Sequence, residues 1–182
     1  VARGDHNLRG EVKDRMTWVT PKDSREIQNK IVSVLRTLLD DPYCQVKGAG
    51  ARGAEYFIYG DDFKAIGNPP QIHVDMTNFD PVRITSQSKT DYLEEERHDF
   101  MIYYYNQLAH KYTFSDNGLE LADVAQCRKY LQYIRDTLKA NMAEFNEYFH
   151  KHAFGVVPKP VRDSKTGWFV SMLPFTVFTY RR

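Results

Sequence analysis

The chain has 182 residues, of which 42% are apolar and 27% charged, with a formal net charge of +1. That length and balance suit one folded domain with a substantial core, and the near-neutral charge supplies no global field to draw in nucleic acid or an acidic membrane. Two cysteines, Cys44 and Cys127, lie far apart without CxxC spacing, so neither a disulfide framework nor a zinc site is indicated, and both read as free thiols of a reducing compartment.

Residues 1–19 read as a flexible polar arm and 20–182 as a single domain. The arm begins VARGDHNLRGEVKDR, with no apolar centre of a signal peptide, and its RGD tripeptide reads as chance. No run approaches the ~20 apolar residues that a membrane helix needs. The first predicted element opens at TPKD: Thr20 is placed to cap, Pro21 suits the first helical position and Asp23 complements the helix dipole. Ile27, Ile31, Val34, Leu35 and Leu38 follow at helical spacing, and Asp40-Asp41-Pro42 ends the element.

A glycine-rich loop (47–55), a short β-run (56–59) and a second loop (60–70) come next. QIHVDMT then alternates, with Ile72, Val74 and Met76 on one face and His73, Asp75 and Thr77 on the other, which predicts a strand with the histidine outward. Val82 and Ile84 extend it beyond Asp80-Pro81. DYLEEERHDFMIYYYN predicts one long strand. Its charged first half, His98 included, is expected to be exposed, and its two-sided apolar second half to project beyond the sheet into a contact.

Val124, Cys127, Leu131, Ile134 and Leu138, continued by Met142, Phe145 and Phe149, form a second helical stripe, read either as one long helix or as two broken near Ala140-Asn141. The chain closes on FGVVPKPVR and GWFVSMLPFTVFTYRR, a predicted hairpin turning at 163–167. A last strand so close to the chain end has to be paired, in its own sheet or on a neighbouring chain. Strands grouped between helices predict an α+β fold: a mainly antiparallel sheet packed against N-terminal and C-terminal-half helices, closing with a β-hairpin.

Chemistry-bearing patterns are thin. YGDD at 59–62 lacks the further motifs of a polymerase. GAGARG at 48–53 leads into a strand, whereas a phosphate-cradling glycine loop must open a helix. Asp61, Asp62 and Asp75 with Lys64 are the best enzymatic lead, since a metal-dependent nuclease needs acidic ligands and a lysine near a strand end; the DFK stretch, however, sits in a loop. His150 and His152, with Glu147 one turn earlier, make a poor metal pair on a helix because i and i+2 diverge, and read as a solvated helix end. Basic residues are scattered, and the tyrosines at 103–105 are not interleaved with them as a nucleic-acid stacking platform requires. The expectation is a non-enzyme with no catalytic, cofactor-binding or metal residues.

With chemistry set aside, the layout resembles the tail terminator (tail-completion) proteins of long-tailed bacteriophages. The resemblance rests on IQNKIVSVLRTLL, the proline-introduced strand NPPQIHVDM, the longer strand EEERHDFMIYYYN, and the ending Gly167-Trp168 followed by Phe175-Thr176-Val177-Phe178-Thr179-Tyr180. It spans most of residues 20–182. The chain departs from compact members in its extra helical material near 140–152 and in its N-terminal arm. The resemblance implies a structural virion protein, made in the host cytoplasm, that caps the head-proximal end of a tail tube as a ring of six. Its implied partners are itself, the tail tube protein, head–neck connector or completion proteins and the tape-measure protein, with no membrane and no sequence-specific nucleic acid. Arg52, Tyr103, Tyr104, Tyr105, Phe178 and Tyr180 are the expected protein–protein contacts. The rivals are the nuclease built on Asp61, Asp62, Asp75 and Lys64, and a small phage-encoded module that binds a host protein.

Overall fold

A computed structural model of the chain describes residues 22–40, 58–59, 71–77, 82–87, 92–106, 112–113, 120–121 and 123–181. Residues 1–21 and 41–57, the loop 60–70 with Asp61, Asp62 and Lys64, and the contact candidate Arg52 lie outside the described residues.

Helix α1 (Ser24–Leu35) starts at Asp23, not at Thr20. The Asp23 carboxylate accepts the Glu26 N–H at 2.7 Å and the Glu26 carboxylate accepts the Asp23 N–H at 3.1 Å, a reciprocal capping box. A 3₁₀ segment (Arg36–Asp40) extends the helix to the predicted stop. Asp23→Ala removes one acceptor and a favourable charge from the helix N-terminus. It is expected to cost about 1 kcal/mol, read as a lower urea midpoint at unchanged slope.

The strands are β1 (Ile58–Tyr59), β2 (Gln71–Met76), β3 (Val82–Gln87), β4 (Tyr92–Asn106), β5 (Tyr112–Thr113), β6 (Glu120–Leu121), β7 (Lys151–Phe154), β8 (Val161–Arg162) and β9 (Phe169–Arg181). Helix α2 (Asp123–Ala140) precedes β7, and a 3₁₀ turn (Met142–Phe145) after it decides between one long helix and a broken one, with the break at Asn141. The main sheet runs β1-β2-β4-β9-β7, with β3 also on β4 and β8 also on β9; β5 and β6 pair separately. Only β1–β2 is parallel within it. The fold is α+β, as expected.

Its spine is the antiparallel pair β4–β9, in continuous register from Glu94↔Arg181 to Asn106↔Phe169. The closing strand is therefore tied down inside its own sheet. Each outer edge of this ribbon is lined by two short strands laid end to end. Beside β4, β2 pairs as far as Met76↔Phe100 and β3 begins at Val82↔Arg97; Thr77 bonds the Asp99 carbonyl through both its N–H and its hydroxyl at 3.0 Å. Beside β9, β7 and β8 are separated by 155–160, where two prolines interrupt the ladder because they have no N–H to give. Gly155 is required there: a Cβ would lie 2.7 Å from the Pro174 Cβ. The hairpin β8–β9 turns on Asp163, whose side chain accepts the Lys165 N–H at 2.9 Å and the Thr166 hydroxyl at 2.8 Å, with Gly167 at φ 72°.

These pairings correct two expectations. The long strand β4 does not project; it is central and flanked on both sides. Residues 150–152 do not end a helix: the α2 stripe stops earlier, and Lys151 and His152 belong to an edge strand.

Both helices cover one face of the sheet. Tyr104 stacks on Tyr130 of α2 at 4.3 Å, and Ser24 of α1 bonds His98, so the even-numbered side chains of β4 point toward the helices. Phe100, Ile102, Tyr104, Leu173, Phe175, Val177, Ile72 and Val74 meet Ile27, Ile31, Leu35, Leu131, Ile134 and Leu138 there, all at most 2% exposed. Burying each such side chain is worth about 1.5–3 kcal/mol. Among the described residues no helix is long and apolar enough to cross a membrane.

Candidate interaction face

Because side chains alternate along a strand, the same register that fills the core sets the opposite face. From β4 it carries Glu95, Arg97, Asp99, Met101, Tyr103 and Tyr105. From β9 it carries Val170, Met172, Pro174, Thr176, Phe178 and Tyr180, paired directly across as Tyr105↔Val170, Tyr103↔Met172, Met101↔Pro174, Asp99↔Thr176, Arg97↔Phe178 and Glu95↔Tyr180. Nearly all are half-buried, Tyr180 is 46% exposed, and Val161 of β8, beside Val170, is 55% exposed.

The face has two apolar ends and a polar belt. At one end Tyr103 stacks on Tyr105 at 6.1 Å, flanked by Met101, Met172 and Val170. Burial first, then the nearby Asp75 carboxylate, raises the Tyr103 hydroxyl above its ordinary pKa; burial, Tyr103 and Asp75 do the same for Tyr105. Both phenols stay neutral at physiological pH and keep an O–H to donate. His73 and Gln71 of β2, the register partners of Tyr103 and Tyr105, share this face and are buried at 2% and 1% exposure, with the histidine 3.2 Å from the Gln71 side-chain oxygen and edge-on to Tyr105.

The belt is Arg97 and Asp99, joined by two contacts at 2.9 and 3.0 Å, with the Thr176 hydroxyl donating to Asp99 at 2.7 Å. Burial alone pushes the Asp99 carboxyl up, but the Arg97 and Thr176 hydrogen bonds and the Arg97 charge outweigh it and leave the pKa lowered. At the other end the His150 ring lies flat on Tyr180 at 3.5 Å and reaches the Glu95 carboxylate at 2.9 Å, while the Lys151 ammonium sits 4.6 Å from the Phe178 ring centre.

The structure thus separates the expected contact residues. Tyr103, Tyr105, Phe178 and Tyr180 share this face. Tyr104 does not: it points the other way, is 0% exposed, and accepts a hydrogen bond from Gln126 at 2.9 Å. Within the YYY run, period two makes the middle residue core and its neighbours surface. Of the enzymatic lead, only Asp75 is described, half-buried near the two tyrosines. Among the described residues no group of three or more His, Cys, Asp or Glu could hold a metal ion.

His73 lies on the face expected for it, that of its register partner Tyr103, but is buried there at 2% exposure, whereas His98 lies on the face the helices cover. His98 is 1% exposed and links three elements, with Ser24 of α1 at 2.7 Å from Nδ1 and Thr179 of β9 at 3.0 Å from Nε2. Desolvation lowers both histidines below the ordinary 6.5, and for His98 it does so against the opposing charges of Glu96, Asp23 and Asp99. The unfolded chain then binds more protons than the folded one. Stability is full above about pH 6.5 and falls as the pH drops toward the folded-state values, by at most ~1.4 kcal/mol per pH unit for each histidine. Urea midpoints at pH 7.5 and 5.5 are expected to differ in that direction, with a shallower difference in His98→Gln; a wild-type midpoint unchanged between these values contradicts the assignment.

The charged first half of β4 would read as surface to any composition argument, yet Glu96 is 7% exposed. The signal that locates the covered face is the pairing of β4 with β9, where Glu96 falls opposite Thr179 and His98 opposite Val177. No protein-family model matches the chain, and no curated protein matches it in sequence.

Proposed function

We propose that this chain is a structural assembly protein of a phage virion, a tail terminator or related neck component that forms a closed ring on the head-proximal end of the tail tube. The observation that carries the reading is the aromatic face of the β4–β9 ribbon, which neither helix covers and which presents Tyr103, Tyr105, Phe178 and Tyr180. Tyrosine and phenylalanine around a satisfied Arg–Asp pair are the composition of a contact core with polar insulation. A cyclic assembly needs each subunit to offer one surface and accept a different one, and the face and the helical layer supply two unlike surfaces. The order of elements, helix, proline-introduced strand, long strand, helix and closing hairpin, supports the same family. On this reading the partners are further copies in a six-membered ring, the tube protein, neck proteins and the tape-measure protein, with no reaction catalysed.

Sedimentation and negative-stain imaging of the purified chain, alone and mixed with tube protein, test the reading. Rings, or decoration of tube ends, are expected. A chain that stays monomeric and ignores tube ends overturns it, as does a magnesium-dependent DNA-nicking activity lost in Asp62→Ala.

A further inference from the structure

We propose that the cleft between α2 and the strap at 157–159 binds a phosphate-bearing organic molecule. The cleft has a volume of about 330 Å³, at the small end of ligand-sized sites. Arg128, Leu131 and Arg135 line it from the helix, and Val157, Pro158 and Lys159 from the strap. Positions i, i+3 and i+7 share one stripe of a helix, so the two arginines reach the cleft from points two turns, about 10 Å, apart. Leu131 and Val157 belong to or pack against the core, and Pro160 just beyond is buried, so the walls are fixed.

Three cations therefore border one concavity, and among the described residues no carboxylate lines it. The Arg135 side chain, 39% exposed, has its Nε in a loose ion pair with Asp136 at 3.8 Å, beyond hydrogen-bond reach. That Nε is buried and has no hydrogen-bond partner among the described residues, so it keeps a donor to give. Like charges gathered on an apolar floor repel one another, and an anion relieves the repulsion. Guanidinium forks favour bidentate oxyanions. Three positive charges match a dianionic phosphate better than a single carboxylate. The volume left over, beside Leu131 and Pro158 with the Gln132 amide available, suits an organic body attached to that phosphate. This site is separate from the open sheet face and stands whether or not the chain forms rings.

Isothermal titration of the intact chain with inorganic phosphate, ADP and a di-glutamate peptide tests the proposal. ADP is expected to bind saturably at millimolar Kd or tighter, inorganic phosphate more weakly, and the peptide not at all. Arg128→Gln and Arg135→Gln each weaken ADP by about tenfold, and Arg135→Lys, which keeps the charge but loses the fork, weakens it as well. Arg25→Gln, on the exposed side of α1, leaves binding unchanged. Circular dichroism checks that each variant folds; should Arg135→Gln not fold, Arg128→Gln and Lys159→Gln, both at exposed positions, carry the test. No saturable ADP binding, equal binding of the peptide, or the same affinity in the cleft variants and wild type overturns the assignment.

Discussion

Phe175→Ala is expected to lower the unfolding free energy by about 3–5 kcal/mol, a large part of what holds a domain of this size together. Phe175 is 0% exposed at the middle of β9, opposite Phe100 on one side and Phe154 on the other. Its ring stacks on Phe154 at 4.8 Å and meets the edge of Phe149 at 6.1 Å. Truncation leaves a void that three strands and the turn after α2 would all have to close, and the β4–β9 register fixes them in place. Only partial collapse is available, which puts the cost at the upper end for such changes. Urea denaturation followed by tryptophan fluorescence measures it. A loss below about 1 kcal/mol would mean that the ribbon's centre is not packed as described.

Tyr103→Ser combined with Phe178→Ser is expected to do the reverse: abolish assembly and leave the fold. Both residues alternate out of the same two strands onto the open face. Each gives up strand propensity and some half-buried area, within about 1 kcal/mol on the scale of such exchanges. As central aromatic anchors of a contact they would each cost about 2 kcal/mol of binding, roughly thirtyfold in the dissociation constant of every interface in a ring. Sedimentation velocity with far-UV circular dichroism separates the two effects. The ring reading expects a folded monomer. A double variant that assembles like wild type moves the contact surface elsewhere, and an unfolded one is resolved by Tyr180→Ser, whose side chain is 46% exposed and needed by no core contact.

The contrast between these experiments follows from period two. Phe175 and Phe178 are three residues apart in an unbroken strand, so they must point to opposite faces, and the sequence alone says so. It does not say which face is inside. In the run FTVFTY, both alternating sets contain an aromatic, so hydrophobicity gives no direction. The choice is made by register against β4, whose even side chains are claimed by Tyr130 and Ser24 on the helices. The same ambiguity in YYY explains why Tyr104 reads as a contact residue although it is core. It also explains His98 and Glu96: charge predicts exposure, but a strand at the centre of a sheet must follow its neighbours, and a polar side chain on the covered face is tolerated if hydrogen bonds satisfy it. Ser24 and Thr179 do that for His98.

By itself the sequence determined the elements that depend on local chemistry. Those are the amphipathic stripes of α1 and α2, the strand at 71–76, the turn at Asp163–Gly167 and hence the α+β class. Spacing, caps and turn residues act over a few positions, so they can be read in a line. Tertiary structure alone decided that β4 is central and not projecting, and that the last strand pairs within the chain. It alone buried two histidines, and it brought Arg128 and Arg135 to the strap that carries Lys159. Each of those depends on which distant segments meet, and partner choice in a sheet is settled by the packing of whole faces, which no local pattern encodes.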